Sequence, residues 1–164
     1  RAAMFDKFIR RENLIFEILQ EFVDAGLEFI IVGGYAVSAY KHRFSVDADI
    51  VVKKNDMEKF TLILAKNKFV KTIFKQLENE YSSQFVRYEK KGELPVSFDM
   101  LIDGLGVRQT NAVFGYDMLR SHSEKKKIKV LAKEVVRLVP RRERLVAINL
   151  HSGRATDLRD VAAL

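Results

Sequence analysis

The 164-residue sequence predicts an α+β fold in which a sheet-rich middle lies between an N-terminal helix and a helical C-terminal tail. Three observations lead there. Residues 5 to 24 carry apolar side chains at helical spacing, short apolar runs recur between Phe29 and Ile102, and Pro140 opens a last helical segment. With 48% apolar residues the chain can fill one core, so a single domain over residues 1–164 is expected.

In the first helix Phe5, Phe8, Ile9, Leu14, Ile15, Ile18, Leu19, Phe22 and Val23 recur with charges between them, and Gly26 supplies the stop. Phe29 to Val32 is continuously apolar, ends at Gly33-Gly34 and gives way to helical periodicity from Tyr35 to Tyr40, which reads as strand, tight turn and short helix. Asp49 to Lys53 is a second strand, and Asn55-Asp56 is expected to cap a helix reaching Lys66. Phe69–Phe74, Gln84–Tyr88 and Val96–Ile102 form three further strands. Beyond Gly104 and Gly106 the pattern weakens: Ala112–Leu119 is expected as a short helix, Lys127–Leu138 as a hairpin, and residues 141 to 151 as the helix that Pro140 opens. Lys125-Lys126-Lys127 reads as a solvated turn, and Asp103, just before Gly104, as a turn residue. The chain begins at Arg1 and stops at Leu164 soon after an apparent helix start, which leaves room for a further C-terminal segment.

The absence of cysteine excludes disulfides and thiolate chemistry, so a metal site must draw on oxygen or imidazole ligands, a set that favours Mg²⁺ or Mn²⁺. No apolar run approaches the roughly 20 residues that span a bilayer, and no signal peptide is visible, so a cytosolic protein without a membrane partner is expected. The net charge of +7 suits polyanionic partners but is common among ordinary domains. His42, His122 and His151 lack metal-ligand spacing, and Gly33-Gly34-Tyr35 lacks the Gly-x-Gly-x-x-Gly spacing of a dinucleotide site.

Asp47 and Asp49 are two apart on an extended segment, so their carboxylates leave one face and repel each other. A hard divalent cation neutralises such a pair. Asp99 shares its strand face with Ser97 and Leu101, opposite Phe98 and Met100; if that strand neighbours the Asp49 strand, three carboxylates converge. Gly33-Gly34 lets a triphosphate approach backbone N–H groups at a helix start, with Arg43 and Ser45 offering charge and a hydroxyl. Each feature also has a plain structural reading: Asp47 as a cap, Asp49 as an edge charge, Arg43 as a surface cation and Ser45 as a turn residue.

Their order is more specific: apolar strand, Gly33-Gly34, helix, Arg43-x-Ser45-x-Asp47-x-Asp49, apolar strand, then Asp99 within a third strand. This resembles the polymerase-beta-type nucleotidyltransferase superfamily. The tail from Leu145 to Asp160 resembles the closing motif of its AbiEii/AbiGii-toxin-like branch, with Arg154, Asp157 and Asp160 matching, Asn149 standing where the pattern has Lys, and Thr156 where it has a cation. The resemblance spans residues 29–164 in outline and implies a mixed β-sheet flanked by helices, with a nucleoside triphosphate and Mg²⁺ or Mn²⁺ at its edge. It implies Asp47, Asp49 and Asp99 as catalytic residues and metal ligands, and Gly33, Gly34, Arg43, Ser45, Arg154 and Asp157 as the nucleotide-binding set. It further implies transfer of a nucleoside monophosphate to a hydroxyl of RNA (tRNA included), protein or a small molecule, and an antitoxin protein as a partner. The alternative is a nucleotide-binding or regulatory module that keeps the fold without turnover.

Overall fold

The computed structural model describes residues 2–40, 45, 47–76, 84–107, 112–152 and 155–164. Helix α1 (Ala2–Asp24) starts a turn earlier than its apolar pattern and ends where expected: Gly26 takes φ +74°, and Leu27 N–H bonds Phe22 O at 3.1 Å while Gly26 N–H bonds Val23 O at 3.0 Å. That pair of bonds satisfies the last carbonyls of the helix and needs a left-handed residue at the corner. Strand β1 (Ile30–Val32), helix α2 (Gly33–Ser38) and strand β2 (Asp47–Val52) follow, then one 3₁₀ turn at Lys54–Asp56 and helix α3 (Met57–Lys66). The helix start matches the sequence, but its capping does not. Asp56 makes no side-chain cap bond, and the backbone N–H of Lys54 instead donates to Asp103 Oδ1 at 2.9 Å.

Strands β3 (Val70–Gln76), β4 (Gln84–Lys90) and β5 (Val96–Ile102) fill the middle of the chain. Asp103 then turns it at φ +62°, in the turn role expected of it. The segment expected to be the helix Ala112–Leu119 is instead split. Strand β7 (Ala112–Gly115) pairs with β6 (Gly104–Val107) in a small separate sheet, and helix α4 (Tyr116–Ser121) begins only after Gly115. Gly104 explains part of this: a side chain there would meet the backbone of Phe114 across the two-stranded sheet.

The expected hairpin is longer than its apolar core, pairing β8 (Ser123–Lys129) with β9 (Glu134–Pro140). Lys125, Lys126 and Lys127 therefore lie in a strand and not in a turn. That strand is an edge of the sheet, where lysines discourage pairing with another chain. Helices α5 (Arg142–Ser152) and α6 (Ala155–Ala163) close the chain.

The main sheet is mixed and seven-stranded, ordered β3-β4-β5-β2-β1-β9-β8, with parallel pairs β2/β5 and β1/β9 and the rest antiparallel. One face packs on α1 and α3 through Phe22, which meets Phe29, Phe60 and Phe98 edge-on at centroid distances of 5.7, 4.8 and 6.0 Å. The other face, carrying Ile30, Val32 and Val51, packs on Tyr116 and Leu119 of α4 and Ile148 of α5. Strands β1, β2 and β5 are apolar on both faces except in two neighbouring rows of one face, which hold Asp47 and Ser97, and Asp49 and Asp99. Among the described residues, no helix is long and apolar enough to cross a membrane.

Candidate active site

The parallel register of β2 and β5 sets Asp47 beside Ser97 and Asp49 beside Asp99. On the far side of β5 the antiparallel strand β4 sets Arg87 beside Asp99, and on the far side of β2 strand β1 sets Val32 beside Asp49. Because residues paired across strands share a face, Asp49, Asp99 and Arg87 stand in line, with Asp47 and Ser97 in the next row of the same face. The strand adjacency on which convergence of the acids depended is therefore present.

Arg87 takes both oxygens of Asp99, Nε to Oδ1 at 2.7 Å and Nη2 to Oδ2 at 3.0 Å, the fork-to-fork geometry of a strong ion pair. Asp99 is buried, and its hydrogen bond holds the Arg87 proton more tightly than usual. Among the described residues Asp49 has no such partner. Burial, the charge of Asp99, a side-chain hydrogen bond to Asp99 and the charge of Asp47 push its carboxyl well above the ordinary range. Asp47 is pushed up as well, by burial and by Asp99, against the opposing pull of Arg87, a hydrogen bond from Ser97 and the charge of Arg11. Among the described residues, the three carboxylates thus share one directly paired guanidinium, Arg87. Among the described residues no group of three or more His, Asp or Glu stands as a set of metal ligands, and both oxygens of Asp99 face Arg87.

Gly33 begins α2 at φ +67°, where no side chain caps the helix. A Cβ at this position would collide with Oδ2 of Asp49 and lie 3.1 Å from its Cγ. Glycine is required here twice, for the backbone angle and for the space above the carboxylate. Gly34 follows in α2, its carbonyl accepting the Ser38 hydroxyl at 3.0 Å. Ser45 braces the entry to β2: its hydroxyl donates to Asp47 O at 3.0 Å, and its own carbonyl accepts Tyr35 Oη–H at 3.3 Å.

Arg43 and Arg154 lie outside the described residues, and of Asp157 only its place in α6 is described. Asn149 and Asp160 are buried, and among the described residues the Asn149 Nδ2 has no hydrogen-bond partner. Sequence reasoning missed Arg87 and Ser97. Arg87 looks like an ordinary outward residue of the alternating strand Gln84–Lys90, and only the β4/β5 register turns it toward Asp99.

Replacing Arg87 with Ala strands Asp99 among like charges. The expected loss is about 2 kcal/mol, below the 3–5 kcal/mol of a fully buried pair because the guanidinium is partly exposed. Urea unfolding at pH 7 measures it, and adding Asp99→Asn to Arg87→Ala should recover about half. No loss in the single variant would mean that the pair contributes nothing to stability.

No protein-family model and no curated protein sequence matches the chain. Solved structures do. The lincosamide antibiotic adenylyltransferase LnuA, bound to lincomycin, aligns at a TM-score of 0.58 with 17% identity, over 93% of this chain and 94% of that one. A Thermotoga maritima protein classed provisionally as a nucleotidyltransferase aligns at 0.59 with 14% identity, over 94% and 91%. ANT(2'')-Ia in complex with adenylyl-2''-tobramycin aligns at 0.56 with 13% identity, over 92% and 85%. The mixed sheet flanked by helices is thus a nucleotidyltransferase fold.

Proposed function

We propose that the chain is a metal-dependent nucleotidyltransferase, moving a nucleoside monophosphate from a nucleoside triphosphate to a hydroxyl acceptor. The observation that carries the proposal is the in-register row of Asp49, Asp99 and Arg87, with Asp47 beside it, under the Gly33 turn. The donor set fits a hard divalent cation: all-oxygen, partly buried and mutually repelling. Mg²⁺ commonly binds through one or two carboxylates and completes its shell with water and substrate phosphate, so Asp47 and Asp49 would hold it, and Asp99 would join them as third ligand by turning one oxygen away from Arg87. When bound, Mg²⁺ or Mn²⁺ supplies charge neutralisation for the triphosphate.

The chain's own residues do the rest by positioning. Gly33 and Gly34 leave room for phosphates at the start of α2, and Arg43, Ser45, Arg154 and Asp157 complete the nucleotide contacts. Asp99 receives the proton of the attacking hydroxyl. That oxygen bonds the α-phosphorus, the bond from the α-phosphorus to the bridging oxygen breaks, and pyrophosphate leaves with the electron pair. The tail pattern of Arg154, Asp157 and Asp160 supports a place beside the AbiEii/AbiGii-toxin-like branch, with an RNA acceptor such as tRNA and an antitoxin partner.

A second reading, nucleotide binding without turnover, is favoured by Asn149, whose buried amide has no partner among the described residues and which stands where the pattern of that branch has Lys. Calorimetric titration with each of four nucleoside triphosphates, with and without Mg²⁺, followed by a pyrophosphate assay on cellular RNA, separates the two. Mg²⁺-dependent binding with release is expected, binding without release establishes the second reading, and no binding at all removes both.

A further inference from the structure

Strand β4 meets the carboxylates with one face only. Val86 and Tyr88 lie in the core shared with α1 and α3, so Phe85, Arg87 and Glu89 stand on the other face, in register with Leu101, Asp99 and Ser97. The guanidinium of Arg87 is held from several sides: it forks onto both oxygens of Asp99, the Phe85 ring centre lies 5.8 Å from its Cζ, and the charges of Asp47 and Glu89 act on it as well. It reaches Asp99 from β4, whereas Asp47 and Asp49 stand on β2, on the opposite side of β5. Only 10% of the Asp99 side chain is exposed, so water screens this pair little.

We infer that the site takes a single divalent cation, on Asp47 and Asp49, and that the Arg87 guanidinium stands in for a second. The inference rests on the nucleotidyltransferase reading and deepens it. Sites that use two metal ions set them about 3.5–4 Å apart around the transferring phosphate, and each ion needs carboxylate oxygens. Asp99 has none to give a second ion: when one oxygen turns toward the cation of Asp47 and Asp49, the other stays on Arg87. Charge balance points the same way. Among the described residues, three carboxylates and one paired guanidinium leave two negative charges, which one divalent cation cancels. The more distant Arg11 and Glu89, which act on Asp47 and on Arg87, are of opposite sign to each other. A second divalent ion at Asp99 would sit against the guanidinium and be repelled by it. Arg87 is thus a positioning residue acting through Asp99: it neutralises the charge of that acid and fixes one oxygen, as an ion would. Unlike an ion it is always charged and is held by the fold, so its charge is in place before nucleotide arrives.

Electron paramagnetic resonance of Mn²⁺ tests this by counting the ions bound per chain, for the protein alone and in complex with an α,β-methylene nucleoside triphosphate that cannot be cleaved. The wild type is expected to hold one ion, with the spectrum of an isolated Mn²⁺. Arg87→Met, which keeps the bulk of the side chain and removes its charge, should hold two, with a spectrum broadened by coupling between neighbouring ions. Adding Asp99→Asn to Arg87→Met should return the count to one, and Arg87→Lys should stay at one. Arg87→Gln takes the place of Arg87→Met should that variant fail to fold, and the wild-type count needs no variant at all. Two coupled ions in the wild type overturn the inference and leave the nucleotidyltransferase reading standing, as does a single ion in a folded Arg87→Met or Arg87→Gln protein. No Mn²⁺ on any of the proteins, with or without the triphosphate, refutes the metal-dependent reading itself, so the two failures are distinguishable.

Discussion

Asp49→Asn raises the thermal midpoint of the metal-free protein at pH 7, removes the further rise that Mg²⁺ gives the wild type, and lowers nucleotidyl transfer by about 10³-fold. The first effect follows from the sign of the shift. The folded-state pKa of Asp49 lies well above its ordinary value of 3.8, so the stability this group contributes is fully present below pH 3.8 and is lost as pH rises through the raised value. At neutral pH this carboxyl therefore opposes folding, and Asn, of the same shape and with no proton to lose, does not. Asp47 carries a shift of the same sign. The midpoints of wild type and variant should differ by a few degrees at pH 7, given about 2–4 °C per kcal/mol for a chain of this size, and converge as pH falls toward 4. Differential scanning fluorimetry across pH, with and without Mg²⁺, measures all of this. A variant that is destabilised at pH 7, or that still responds to Mg²⁺ as the wild type does, would show that Asp49 is not the charge the cation relieves.

Gly33→Ala has the second large effect. At φ +67° an alanine costs about 1–2 kcal/mol from backbone strain alone, and its Cβ must also drive Asp49 out of place. Gly26 provides the control, because it takes φ +74° with nothing within 4 Å of an added Cβ, so Gly26→Ala reports strain without collision. Urea unfolding should show Gly33→Ala losing at least about 1 kcal/mol more than Gly26→Ala, with transfer falling tenfold or more only in the former. Combining Gly33→Ala with Asp49→Ala should recover the steric part of the loss and leave the strain. Equal losses at the two glycines would mean that Asp49 yields freely and that Gly33 guards no space.

The core of this account was legible in the residues because it depends on local patterns. The spacing of Asp47 and Asp49 on extended backbone, the glycine turn after a buried strand and the parity of Asp99 with Ser97 all need only the period of a strand. What was not legible depends on pairing between distant segments. Arg87 reaches Asp99 through the β4/β5 register, which alternation along either strand leaves undetermined. The Lys125–Lys127 run reads as a turn because charge and solvation look alike in a loop and on an edge strand. The short helix expected from Ala112 was half right: Tyr116 onward is helical, but Ala112–Gly115 pairs with Gly104–Val107, a partner strand whose glycines hide it from propensity.

The central claim is that the carboxylate row transfers a nucleotidyl group, and the most direct test follows the fate of each phosphorus. Protein is incubated with Mg²⁺ and either α-³²P- or γ-³²P-labelled nucleoside triphosphate in the presence of short RNA, and label is counted on the acceptor and in released pyrophosphate. The account predicts α-label on the acceptor, γ-label in pyrophosphate, and neither with Asp49→Asn. Label from the γ-position on the acceptor, or transfer that survives Asp49→Asn, would contradict it.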